Sequence, residues 1–304
     1  MKLNEFMEQL KIGLLDIDGH NFPNFALMKI ASYHKNKGDS VTWYDTFQGK
    51  FDIVYKSKVF TFTPDYGYFI NSDKVISGGT GYDVSAKLSE EIDRCFPDYS
   101  IYPTSDWYDG KTAYGFLTRG CIRNCSWCVV PKKEGAIRPY ADIEGVLQDK
   151  KRAVLMDNNV LACDYGIKQI EKIVNLGCRV DFNQGLDCRL VTDDIAHLLS
   201  RVKWIECIRF SCDTIENLEP LLKTIERINK HGIKNWRIFV YLLVRDVREA
   251  NKIADVLKKI GVSPYAQPYR DFENKVIPTV EQKEFANYVN KKSVFKSTTV
   301  KSIL

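Results

Sequence analysis

The 304-residue chain has no run of apolar residues long enough to cross a bilayer, so no membrane partner is expected. Its first residues lack the charged-then-apolar pattern of a secretory signal, and a reducing, cytoplasmic setting is expected. An excess of one charge is missing too. The 44 basic residues face 39 acidic ones, and a net charge of +5 permits an anionic partner without requiring it. What the chain does have is 44% apolar residues, enough for a substantial core, and nine cysteines. An odd count, in a chain whose core needs no staples, suits thiolate ligation better than a disulfide framework.

Three of those cysteines stand in Gly120-Cys121-Ile122-Arg123-Asn124-Cys125-Ser126-Trp127-Cys128-Val129-Val130-Pro131, spaced C-x3-C-x2-C with an aromatic before the third. Thiolates at this spacing can hold three corners of a [4Fe–4S] cluster, and no fourth cysteine lies nearby to take the last iron. That iron would be open to a small molecule. Structural zinc closes with four ligands, commonly from paired C-x2-C elements. No His or Cys follows at such a spacing, and the nearest later cysteine is Cys163. Cys163, Cys178, Cys188, Cys207 and Cys212 are scattered over different elements. They read as small packed hydrophobes rather than a second cluster.

From about residue 151 short apolar runs alternate with helical patterns, and an apolar run at 113–117 precedes the cysteine loop. Strands are expected at 113–117, 153–156, 179–182, 205–210 and 236–244. The last is near-continuously apolar, as a strand buried on both faces would be. Helices are expected from an Asp164 cap to Gly177, from a Thr192 cap through Val202, from Leu218 to near Gly232, and from Val247 to Gly261. Such alternation implies parallel strands joined by right-handed crossovers. The first hundred residues read as a separate α/β unit with strands at 11–17, 40–44, 52–55 and 75–76. Its helix, 25–37, starts at Pro23 in the first turn.

The cluster loop resembles that of the radical S-adenosylmethionine (SAM) superfamily, and Cys125 to Gly135 is most similar to the methylthiotransferases within it. The resemblance implies an α/β fold: a Rossmann-like, cobalamin-binding-like domain over 1–105, then a partial (β/α)6 barrel over 106–280. Residues 281–304 would be a basic, solvated helix and tail, with Lys291, Lys292, Lys296 and Lys301. It also implies a 5′-deoxyadenosyl radical made from SAM by one electron, which abstracts hydrogen from a substrate. A low-potential donor of the flavodoxin or ferredoxin type would supply that electron. Methylthiotransferases hold a second cluster on three N-terminal cysteines and usually end in a small RNA-binding barrel. This chain has only Cys95 before the motif and nothing like that barrel after residue 280, so methylthiotransfer itself is not expected.

By the same resemblance Cys121, Cys125 and Cys128 are the cluster ligands, and Trp127 packs near the SAM adenine. Asp157 or Asn158 accepts from the SAM amino group at a strand end. Asn183, Gln184 and Arg189 contact the SAM ribose or carboxylate, with a loop network and an ion pair to Asp187 or Asp193 as the plainer alternative. Arg209, Ser211 and Asp213 end the following strand and share the cavity; Arg245, Tyr269 and Arg270 recognise substrate. Asp18 and His20 fit part of a D-x-H-x-x-G cobalamin motif, in which a carboxylate tunes a cobalt-ligating imidazole. They read equally as crevice residues capping a helix or touching substrate. The substrate stays open: cobalamin-assisted methylation, or modification of a nucleoside, nucleic acid or peptide. A non-catalytic iron–sulfur or zinc protein that binds nucleic acid is the remaining alternative.

Overall fold

Apolar residues in β1 (Lys11–Asp16) bury Ile12 and Leu14, and α1 (Phe25–Asn36) lays Leu27, Ile30 and Ala31 on them. Each large side chain so removed from water contributes about 2 kcal/mol. In the computed structural model, residues 9–19, 22–102, 109–271 and 276–297 are described. The chain divides into two compact units between Thr112 and Ala113. The boundary expected near residue 105 falls outside the described residues, as does His20. Both units are mixed α/β structures with parallel sheets.

In the first unit, β2 (Ser40–Trp43), β3 (Phe51–Ser57) and β4 (Ser72–Gly78) join β1 in the order β2-β1-β3-β4, with every pairing parallel. A short α2 (Glu90–Asp93) packs by α1. Asn24 caps α1 by accepting from the Leu27 N–H, so Pro23 lies just before the helix rather than in its first turn. The chain leaves β1 toward β2 on one side, and β3 lies on the other, so the strand order reverses there. Such a reversal opens a crevice at the carboxyl ends of β1 and β3. A buried polar network fills it. Asn24 Nδ2 donates to Ser57 Oγ at 2.9 Å and to Asp16 Oδ1 at 3.3 Å, and the Tyr102 hydroxyl accepts from the Asn24 N–H at 2.8 Å.

The second unit runs β5 (Thr112–Gly115), β6 (Thr118–Arg119), α3 (Val130–Lys133), β7 (Arg138–Pro139), α4 (Ile143–Leu147) and β8 (Arg152–Leu155). Then come α5 (Asp164–Leu176), β9 (Arg179–Phe182), α6 (Asp193–Arg201), β10 (Lys203–Trp204), β11 (Ile208–Ser211) and α7 (Leu218–Lys230). The unit closes with β12 (Ile238–Val244), α8 (Val247–Lys259), β13 (Ser263–Pro268), α9 (Val280–Asn290) and α10 (Lys292–Ser297). One sheet has the order β10-β9-β8-β5 and a second the order β11-β12-β13. An isolated parallel bridge from Leu186, just past β9, to Phe210 of β11 links their edges. The caps follow the sequence closely. Thr192 accepts from the Ile195 N–H, and Gly177 ends α5 in the left-handed region at φ 65°. Asp164, expected as a cap, is instead the first residue of α5.

Two expectations change. β12 is buried on alternate residues only: Ile238, Val240, Leu242 and Val244 are buried, while Phe239, Tyr241 and Leu243 are half-buried. Helices such as α8 cover one face, so its apolar run is an aromatic open face rather than a doubly buried one. The basic segment after residue 280 is also more than a tail. α9 buries Phe285, Ala286, Tyr288 and Val289 and packs on β13. Asn290 pairs with both the N–H and the carbonyl of Ala266 at 2.8 Å, which blunts that edge strand.

Candidate functional site

The cysteine loop joins β6 to β7, and its ends are drawn together before any ligand is considered. Thr118 pairs with Pro139 and Arg119 with Arg138 in an antiparallel clip. The Cys121 N–H donates to the Gly135 carbonyl at 3.2 Å. Arg119 forks onto Glu134 and lies 3.9 Å from the centre of the Phe116 ring. Gly120 turns the chain into the loop at φ 87°, and a Cβ there would stand 2.3 Å from the Ala136 carbonyl oxygen. Gly120→Ala therefore meets both strain and backbone collision, and should destabilise by about 3 kcal/mol. We expect it to retain less than roughly a third of the wild-type iron after anaerobic reconstitution, read by iron assay beside a melting curve.

Amide donors point at the sulfurs. Cys121 Sγ accepts from the Arg123 N–H at 3.3 Å and from Asn159 Nδ2 at 3.4 Å, and Cys128 accepts from the Val130 N–H. Burial pushes the Cys125 and Cys128 thiols up, and each also feels the charge of its neighbouring cysteines. The three form one electrostatic group, whose protons a metal must displace. Among the described residues no three His, Cys, Asp or Glu side chains converge on a single ion. A cubane gives each thiolate its own iron and asks for ligands set farther apart than one ion does.

Behind the loop stands Asp187, 7% exposed. It accepts from Arg189 Nε at 2.6 Å and Nη2 at 3.0 Å, from Arg123 Nε at 2.9 Å, and from Asn159 Nδ2 at 3.3 Å. Burial works against this charge, yet the hydrogen bonds and charges of Arg189 and Arg123 hold the carboxyl below its usual range. Asn159 thus has both amide hydrogens committed, to a sulfur and to a carboxylate. Because Asp187 can only accept, the amide orientation is fixed. Asn159 Oδ1 is buried with no hydrogen-bond partner among the described residues.

Trp127 lies under the Arg245 guanidinium, whose carbon is 3.9 Å from the ring centre. Arg245 Nε is likewise buried without a hydrogen-bond partner among the described residues. Asp213 is near the same charges: burial raises its carboxyl, while the Leu243 N–H, Arg245 and Arg189 oppose that rise.

Asp157 is placed differently from the expectation. Its carboxylate turns back to accept from the Leu117 N–H at 3.1 Å, the Thr118 N–H at 2.6 Å and the Thr118 hydroxyl at 2.7 Å, fastening the entry of β6 to the end of β8. Burial pushes it up to about 6 against these donors. The folded residue holds its proton more tightly than the unfolded one, whose ordinary value is 3.8. Its contribution therefore favours the fold below pH about 4 and is lost as pH rises through about 6. That difference amounts to ~3 kcal/mol. Denaturant titration should show wild type losing that much relative to Asp157→Asn between pH about 4 and 7.

The other expected residues divide. Asn158 is half-buried and stands beside Asn159, which the sequence reading passed over. Arg189 is spent on Asp187, the plainer of its two expected roles. Gln184 Nε2 donates to Asn183 Oδ1 at 3.1 Å, and the Asn183 carbonyl accepts from the Tyr241 hydroxyl at 2.8 Å. Ser211 is half-buried at the end of β11, and its carbonyl accepts from the Cys188 thiol at 3.9 Å. Arg209 forks onto Asp181 at 2.7 and 2.8 Å. Cys178, Cys188 and Cys212 are buried, and Cys163 and Cys207 half-buried.

In the first unit, Asp18 accepts from the N–H groups of Val59 and Phe60 and from the Thr63 hydroxyl. It pins the loop after β3. Both its oxygens accept from this loop, and His20, the imidazole expected to pair with it, lies outside the described residues. No family model matches the chain, and no curated protein is significantly similar to it.

Proposed function

We propose that the protein is a radical SAM enzyme whose second unit is an open, six-stranded partial barrel, with a Rossmann-like first unit. The observation that carries this reading is the pair of unsatisfied buried atoms beside the cysteine loop, Asn159 Oδ1 and Arg245 Nε. A buried polar group without a partner costs about 1–3 kcal/mol, so a site holding one acceptor and one donor in that state suits a ligand carrying both kinds of group. Cys121, Cys125 and Cys128 would hold a [4Fe–4S] cluster. Bound there, the cluster would supply one-electron reductive chemistry toward SAM.

The chain's own residues do the rest. Asn159 Oδ1 accepts from the SAM amino group while its Nδ2 steadies Cys121. Arg123 and Arg189, gathered on Asp187, hold the loop's first turn against the strand end. Trp127 and Arg245 stack on each other beside the loop. An external low-potential protein donor is part of the reading, and cobalamin is not. The test is anaerobic reconstitution followed by SAM and dithionite, with 5′-deoxyadenosine measured by chromatography. Its formation at several turnovers per chain is expected; none above a protein-free control would overturn the reading.

A further inference from the structure

The open face of the sheet β11-β12-β13 carries a cluster of rings. Tyr241 stands opposite Tyr265 in register, and Arg209 opposite Phe239. Phe239 and Tyr265 stack with centres 5.8 Å apart and planes at 28°. Tyr241 meets them edge-on at 5.0 and 6.0 Å. Cations flank the rings: the Arg209 guanidinium carbon lies 4.9 Å from the Phe239 centre and Lys292 Nζ 6.0 Å from it. Tyr265 remains 42% exposed. Beside it opens a hollow of about 490 Å³ lined by Tyr265, Gln267, Lys283 and Asn287 among others.

The second unit is also the basic one. Residues 113–304 hold 32 basic and 23 acidic residues, a net +9, whereas residues 1–112 hold 12 and 16, a net −4. Stacked rings on a sheet face, flanked by cations and by side-chain amides, match the chemistry of unpaired bases joined by phosphates. A paired base hides its flat face in the duplex, so the strand must be single.

We propose that this face binds a single-stranded polynucleotide, one base stacking on Tyr265 and Phe239 and its phosphates drawn to Lys283 and Lys292. Tyr241 ties the face to the site already described. Its hydroxyl donates to Asn183, and its ring lies 3.3 Å from where a Gly185 Cβ would be, on the segment that carries Asp187. Resting on the radical SAM reading, the polynucleotide is the substrate; the binding surface itself rests on its own geometry.

The test is fluorescence anisotropy of the full chain with labelled short single-stranded RNA and DNA at physiological salt, the two arms separating the two sugars. Binding that weakens with added salt is expected. Tyr265→Ala should weaken it about tenfold, and Tyr265→Trp should restore most of it. No binding of either strand overturns the proposal. So does a folded Tyr265→Ala chain that binds as wild type does, or competition by poly-glutamate as effective as that by unlabelled strand, since charge alone would then explain binding. A wild-type chain that binds the strand yet forms no 5′-deoxyadenosine overturns the radical reading and leaves this surface standing; the converse removes only the surface.

Discussion

Cys125→Ala is expected to reduce 5′-deoxyadenosine formation by on the order of a thousandfold, a barrier increase of about 4 kcal/mol or more. A cubane held by three side chains has no spare ligand, so removing one leaves two thiolates to resist its loss. The chain itself should hardly notice. Cys125 is half-buried on a loop, and a substitution there typically shifts stability by about 1 kcal/mol or less. Lost activity with an unchanged melting curve is therefore the signature. Cys188→Ala provides the contrast. That thiol is buried, and burial pushes it up to about 12; its loss should cost about 1 kcal/mol of packing and leave iron content unchanged. Equal iron loss in both variants would mean that the cluster loop has been misassigned.

Asp187→Ala should be the most damaging change outside the cysteines. The carboxylate accepts from Arg123, Arg189 and Asn159 at once, and its removal leaves two guanidinium groups facing each other. Breaking a buried pair costs about 3–5 kcal/mol. Both arginine side chains are 33% exposed, so water recovers part of this, and about 2–3 kcal/mol is the better expectation. Two readouts are linked here. Denaturant titration should show that loss, and reconstituted iron per chain should fall as well, because Arg123 lies inside the cysteine loop and Asn159 touches Cys121. Asp187→Asn keeps an acceptor and should lose less of both. A variant with full iron and undiminished stability would remove Asp187 from the site.

How much of this could be read beforehand follows from what each feature depends on. The β/α alternation and the helix ends at Thr192 and Gly177 arise from residues close in sequence, so periodicity and local chemistry expose them. The three cysteines are equally local. Asn159 and Asp187 are not: the hydrogen bonds that give them their roles span 28 to 64 residues, and only the assembled strand ends bring the partners together. Asp157 misleads for a related reason. A carboxylate at a strand end looks the same in sequence whether it turns toward a ligand or back to cap the neighbouring strand, as this one does on Leu117 and Thr118. The apolar run of β12 reads as doubly buried because Phe239 and Tyr241 count as apolar wherever they point. Tyr265 was hidden by its neighbours, since Pro264 and Pro268 weaken the strand pattern around it. A signal was available for Asn159 all the same: three polar residues in a row, Asp157, Asn158 and Asn159, directly follow the apolar run 153–156.

The most direct measurement is electron paramagnetic resonance of the anaerobically purified, dithionite-reduced chain, recorded with and without SAM beside an iron determination. On the proposed reading, a signal from a four-iron cluster that changes when SAM is added is expected, because SAM would bind the iron that lacks a side-chain ligand. An iron-poor chain, or a cluster signal indifferent to SAM, would contradict it.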